Sequence, residues 1–121
     1  MEIHNVKKDL AMYILVDKDL EINKGKLAGQ VGHAVSSYFY HCKDKELLDD
    51  YMYGMQKKII LACPRQRLIE LIDQEIGIPI RDAGLTELEP ETLTCINLGI
   101  FDRNDENNSM PKWVKRLRLY K

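Results

Sequence analysis

The chain has 121 residues, of which 45% are hydrophobic and 31% charged, and its formal net charge is −1. That length suits a single domain over residues 1–121 rather than two, and the composition excludes a disordered class. A charge so close to neutral excludes a protein drawn as a whole to nucleic acid, so any RNA partner has to be held by a local basic patch.

Residues 11–16, "AMYILV", form a continuous apolar run. It is too short to span a membrane and carries no small-residue cleavage site, so it reads as a first strand covered on both faces, and no membrane partner is expected. Helices are expected over about 25–40 and over 45–53, the second stopped by Gly54. "QKKIILAC", 56–63, reads as a second buried strand. Pro64 then opens a helix in which Leu68, Leu71, Ile72 and Ile76 keep helical spacing and Gly77 stands where a C-terminal glycine is favoured. "IPIRDAG" gives a short third strand ending in a turn, and "ETLTCINLGI", 91–100, a longer fourth. The polar run "DRNDENNSMP" reads as a surface loop, Trp113 as a packing anchor, and "KRLRLYK" as an edge strand or docked tail.

Strands of this kind with helices between them imply an α/β protein, a three-layer α/β/α sandwich around a four-stranded mixed sheet. Ligands of such sheets sit beyond the C-terminal ends of strands, where the first strand-to-helix connection emerges. Cys42, Cys63 and Cys95 follow no metal-ligand spacing, and an odd count fits reduced thiols in the cytoplasm better than a disulfide framework. Neither a metal nor a cofactor is expected.

The first helix, within "INKGKLAGQVGHAVSSYF", has three distinct sides. Leu27, Val31, Ala34, Val35 and Tyr38 make an apolar stripe that packs on the sheet. Lys26, Gln30, His33 and Ser37 repeat at helical offsets and line a polar ridge beside it. Ala28, Gly29 and Gly32 form a side almost without bulk, although each glycine inside a helix costs about 1 kcal/mol against alanine. At the helix start, Lys24, Gly25 and Lys26 combine free backbone N–H groups, the positive end of the helix dipole and two ammonium groups, a seat suited to phosphate or a developing oxyanion. The pattern is not a P-loop, because no serine or threonine follows the lysine. Solvated lysines, a histidine at the edge of the core and tight packing account for the same residues without any site.

The second notable segment is "RDAGLTELEPETLT", 81–94. Asp82 ends the third strand, Gly84 suits a tight turn and Thr86 follows it. Thr92 and Thr94, two apart, are expected to share a sheet face with Ile96 and Leu98, with Asp82 and Thr86 as candidate partners for their hydroxyls. An Asx-turn and ordinary strand-forming threonines explain the segment equally without function.

Taken together, "KGKLAGQVGHA", "QKKIIL", "DAGLTELEPETLT" and a terminal "RLRLY" resemble the peptidyl-tRNA hydrolase 2 family of archaea and eukaryotes, in order and over nearly the whole chain. The segments "GMQKK", "GIFDRND" and "WVKRL" depart from the family pattern. The resemblance implies hydrolysis of the ester joining a peptide to the 3′ ribose of tRNA, on a four-stranded mixed sheet, commonly in a homodimer. Carried over by motif, the catalytic positions are Lys26, Asp82, Thr86, Thr94 and His33, and the substrate-binding positions are Lys24, Gln30, Gln56 and Lys58. With no Ser-His-Asp or Cys-His arrangement evident, water is the favoured nucleophile. Lys26 then supplies electrophilic charge, Asp82 orients or deprotonates the water or holds Lys26, and Thr86 and Thr94 fix carboxylate or water. His33 is open between proton shuttle, substrate contact and brace for Asp82. Two other readings stand beside this one: a fold relative that binds RNA or protein without hydrolysis, and a hydrolase of smaller esters or amides.

Overall fold

A computed structural model describes residues 8–83 and 91–121. Chain order is β1 (Leu10–Asp17), α1 (Lys24–His41), α2 (Lys45–Tyr53), β2 (Lys57–Cys63), α3 (Arg65–Asp73), β3 (Ile78–Arg81), β4 (Leu93–Asp102) and a short 3-10 turn, Lys112–Arg116. The strands lie in the order β2-β1-β4-β3, with β1 parallel to β2 and β4 antiparallel to both β1 and β3. The expected mixed sheet of four strands is therefore present, with β1 and β4 at its centre.

Both faces of β1 are buried, which is why its sequence shows no alternation. Met12, Ile14 and Val16 pack under α1 and α2 with Ala34, Tyr51, Ile80, Cys95 and Ile100. Ala11, Tyr13 and Leu15 pack on the opposite face with Leu68 and Leu71 of α3 and with Met110 and Val114. Trp113 joins this second core and carries the Arg67 guanidinium over its ring, 4.7 Å from the centroid, so the anchoring role expected of it is met. The terminal segment docks on the outer edge of β2: Leu119 bridges Leu61, Ala62 N–H donates to the Arg118 carbonyl, and Tyr120 N–H donates to the Ile60 carbonyl.

Two expectations need correction. The third helix ends at Asp73, short of the glycine. Glu75 takes the left-handed conformation (φ 58°), while Ile76 N–H closes back on the Leu71 carbonyl. Gly77 (φ 84°) instead lets the chain pass β4, where a Cβ would stand 2.6 Å from Ile96 Cγ2. The second correction concerns Thr94. The β3–β4 register shifts at Ile80/Arg81, so that Ile80 faces Cys95 and Arg81 faces Leu93, leaving Thr94 as the extra residue of a β-bulge. The bulge turns Thr94 toward α1, whereas Ile96 and Leu98 belong to the core under α3.

Candidate active site

β1, β2 and β3 end, and β4 begins, at the same end of the sheet, and α1 starts from the loop that leaves β1 there. Asn23 caps α1, its Oδ1 accepting from Lys26 N–H at 2.9 Å. The first-turn donors are thus not all free, and an asparagine directly before the first helical residue was the signal for it. No acidic side chain lies in the first turn of α1. Two lysines at the positive end of a helix dipole oppose helix stability, a tension that an anion relieves. Lys24 is exposed, Lys26 is half-buried, and neither forms an ion pair with a described residue.

One turn beyond Lys26, the side chain of Gln30 crosses to the sheet. Its Oε1 lies 2.9 Å from Thr94 Oγ1, which also lies 3.1 Å from the Ile80 carbonyl. Thr94 is 1% exposed, so this link is screened from solvent. Among the described residues the oxygen partners of Thr94 are therefore Gln30 and a backbone carbonyl, not the Asp82 side chain that the sequence suggested. Sequence reading placed Gln30 and Thr94 in separate segments and missed their contact, because the bulge that aims Thr94 has no local signature.

Asp82 follows β3 directly. Its N–H donates to the Thr92 carbonyl (2.8 Å), and its carbonyl accepts from Glu91 N–H (2.7 Å), so two backbone bonds tie Asp82 to the residues that lead into β4. Thr86 itself lies outside the described residues. Asp82 is 3% exposed, so its carboxylate is largely withdrawn from bulk solvent. His33 is exposed on the ridge, about 10 Å beyond Lys26 along the helix by the usual rise per residue. It makes no hydrogen bond with a described residue, so it does not brace Asp82.

Gln56 immediately precedes β2 and Lys58 is its second residue, so both lie at the opposite end of the sheet. Gln56 (φ 54°) folds its Nε2 back onto the Met52 carbonyl at 3.0 Å. Several other basic residues are already paired: Lys57 with Asp9, Arg65 with the buried Asp17 at 2.7 Å, and Arg67 with Glu70 at 3.1 Å.

The cysteines are free, as expected. Burial, reinforced by the charge of Asp17, pushes the Cys63 thiol up to about 12, and burial pushes Cys95 up to about 11. Neither is a thiolate near neutral pH, so neither supplies a nucleophile. No helix among the described residues is long and apolar enough to cross a membrane.

The profile of the family described as Peptidyl-tRNA hydrolase PTH2 matches residues 10–120. This chain belongs to that family. It is similar to the peptidyl-tRNA hydrolase of Methanopyrus kandleri, 41% identical over 93 residues, which covers 71% of this chain and 80% of that protein. It is also similar to that of Thermococcus sibiricus, 43% identical over 94 residues (71% and 80%). The peptidyl-tRNA hydrolase of Haloquadratum walsbyi is 42% identical over 113 residues, covering 88% of this chain and 96% of that protein. The resemblance carried by the lysine-glycine-lysine helix and the DAGLT segment thus holds over residues 10–120.

Proposed function

We propose that this protein hydrolyses the ester between a peptide and the 3′ ribose of tRNA, releasing free peptide and tRNA, with water as the nucleophile. The observation that carries the reading is the family match across residues 10–120. The ester is already an activated acyl group, so the protein has to place a water, stabilise a tetrahedral oxyanion and let the ribose hydroxyl leave. Lys26, a cation at the mouth of α1 without an ionic partner among the described residues, is assigned the oxyanion or the leaving oxygen. Gln30, anchored by Thr94, is assigned the alignment of water or substrate at the first turns of the helix. Asp82 is assigned a positioning role with Thr86, since a carboxylate 3% exposed orients neighbours more readily than it exchanges protons with bulk water. His33, exposed further along the ridge, is assigned a proton-shuttle or substrate-contact role. Lys24, Lys58 and Gln56 are assigned to substrate binding, the last two at a distance from the reacting ester. The raised thiols of Cys63 and Cys95 support water over a covalent intermediate.

The test is incubation of the purified protein with N-acetylaminoacyl-tRNA. Acyl release by the wild type, lost in Lys26→Ala, is the expected result. Binding without release would show a non-hydrolytic relative, and release from simple esters but not from tRNA would show a different substrate class. We also assign the protein to the cytoplasm and to a homodimer, the first supported by its free cysteines and the second by the family resemblance; sedimentation velocity tests the second.

A further inference from the structure

The two flanks of α1 differ. Its polar ridge faces β3 and β4, where Gln30 meets Thr94. Its other flank borders an open groove of about 640 Å³, lined by Lys24, Leu27, Ala28, Val31, Gly32 and Val35 of the helix, Lys58 and Ile60 of β2, and Tyr120 of the docked tail. That volume falls in the range of ligand sites. From Lys24 to Val35 the groove runs about 16 Å at the rise of an α-helix. It stays open because its helical wall has little bulk: a Cβ placed on Gly32 would meet nothing within 4 Å.

Both charged residues that line this groove are cationic. Lys24 stands at one end and Lys58 at the other, and no carboxylate lines it. The Lys58 ammonium touches the Gln56 carbonyl at 3.1 Å and lies 5.4 Å from the Tyr51 ring centroid, and it forms no ion pair with a described residue. Arg118 adds a third cation. Leu119 lines a hollow on the α3 side of the sheet, whereas Tyr120 packs on the α1 side. Alternation along the extended tail therefore puts Arg118 on the side of Tyr120, next to Ala62 and toward the start of α1.

We propose that this groove holds a single-stranded segment of the RNA substrate, with phosphates on Lys24, Lys58 and Arg118 and a base or ribose face on Tyr120 and the aliphatic floor. This rests on the reading of tRNA as substrate. Paired RNA arms present phosphates but hide their bases, whereas an unpaired strand offers both to a groove that is cationic at its rim and apolar and aromatic within. A neutral peptide has no use for three cations. A second copy docking with its two-fold axis through the groove would set this cationic patch against the same patch. The unpaired 3′ end of tRNA fits the placement, because a strand in the groove reaches the mouth of α1 at Lys24, and Lys26 stands around the helix at the head of the ridge.

The test uses the full chain and deacylated tRNA, titrated over a salt series, with the thermal midpoint checked for each variant. The combined Lys24→Gln, Lys58→Gln, Arg118→Gln variant should bind more weakly and lower the slope of log affinity against log salt by about 2, at about 0.7 per single-strand phosphate contact. Tyr120→Leu should weaken binding with little change in slope. Trimming the unpaired 3′ nucleotides should weaken binding to the wild type and weaken it less in the combined variant. A combined variant with the wild-type slope, or a wild type indifferent to trimming, overturns the proposal. So does a variant that shifts the sedimentation coefficient without changing affinity per protomer, which would assign the groove to a second copy. Failure of the hydrolysis reading shows separately, as a wild type that binds tRNA but releases no acyl group.

Discussion

Thr94 of β4 and Gln30 of α1, 64 residues apart in sequence, meet at 2.9 Å beneath the polar ridge of the helix. The Thr94 hydroxyl has one proton and two oxygen neighbours, Gln30 Oε1 and the Ile80 carbonyl. All three groups are satisfied when Thr94 donates to Ile80 and the Gln30 amide turns to donate to Thr94, which leaves the amide oxygen directed away from Thr94. Thr94→Val removes the anchor while keeping shape. It should lower kcat by about 10- to 100-fold, the effect of a small misplacement in a positioned site. KM and thermal midpoint should move little, and Thr94→Ser should restore most of the rate. In a double-mutant cycle with Gln30→Met, the double variant should be no slower than the slower single one, because the two act as one unit. Additive losses would separate them.

Lys26→Ala should lower kcat by about 10²- to 10³-fold, the usual effect of removing one donor from a developing oxyanion. The thermal midpoint should hold or rise slightly, since a cation is removed from the positive end of a helix. Lys26→Arg should recover part of the rate. A kcat unchanged in Lys26→Ala, measured by acyl release at saturating substrate, would take Lys26 out of the chemistry.

Gly77→Ala should destabilise the fold by about 2–4 kcal/mol, combining a left-handed backbone with overpacking. The methyl would press on Ile96 Cγ2 and on the Asn97 carbonyl beside it. Urea denaturation measures this as a lower midpoint. Gly32→Ala is the control: with nothing within 4 Å of its added carbon, it should leave the midpoint unchanged or raised.

Cys63 and Cys95 should be protected in the native protein, and iodoacetamide followed by mass mapping should modify Cys42 first. Their folded pKa values, about 12 and 11, lie above the ordinary 9.0. The unfolded thiols therefore ionise first as pH rises. The stability they contribute is complete below about pH 9 and falls away between there and pH 11–12. Chemical denaturation along an alkaline series should show the decline, with a shallower slope in Cys63→Ala. Modification of Cys63 as fast as Cys42 at neutral pH would contradict its burial.

Much of this molecule was legible from residues alone. The unbroken apolar run before Asp17 announced a strand covered on both faces, and the helix Lys45–Tyr53 was bounded by a glycine stop that local rules recognise. The ridge of Lys26, Gln30 and His33 follows from helical periodicity. What remained hidden depends on distant chain. Thr94 was assigned to the wrong face because a single extra residue in β4 reverses the alternation on which strand reading relies. Gly77 was mistaken for a helix cap because its necessity lies in the side chain of Ile96, nearly twenty positions later. The burial of Asp82 is likewise a product of assembly.

Both margins of the sheet are spoken for. Residues Leu117–Tyr120 run along one, and at the other β3 is only four residues long and includes Pro79, which has no N–H to offer an incoming strand. Foreign chain is thereby denied a template along β2 and offered only a short, interrupted one along β3. A second copy that docks beside β2 has to meet it through side chains, because the chain's own tail already occupies that border.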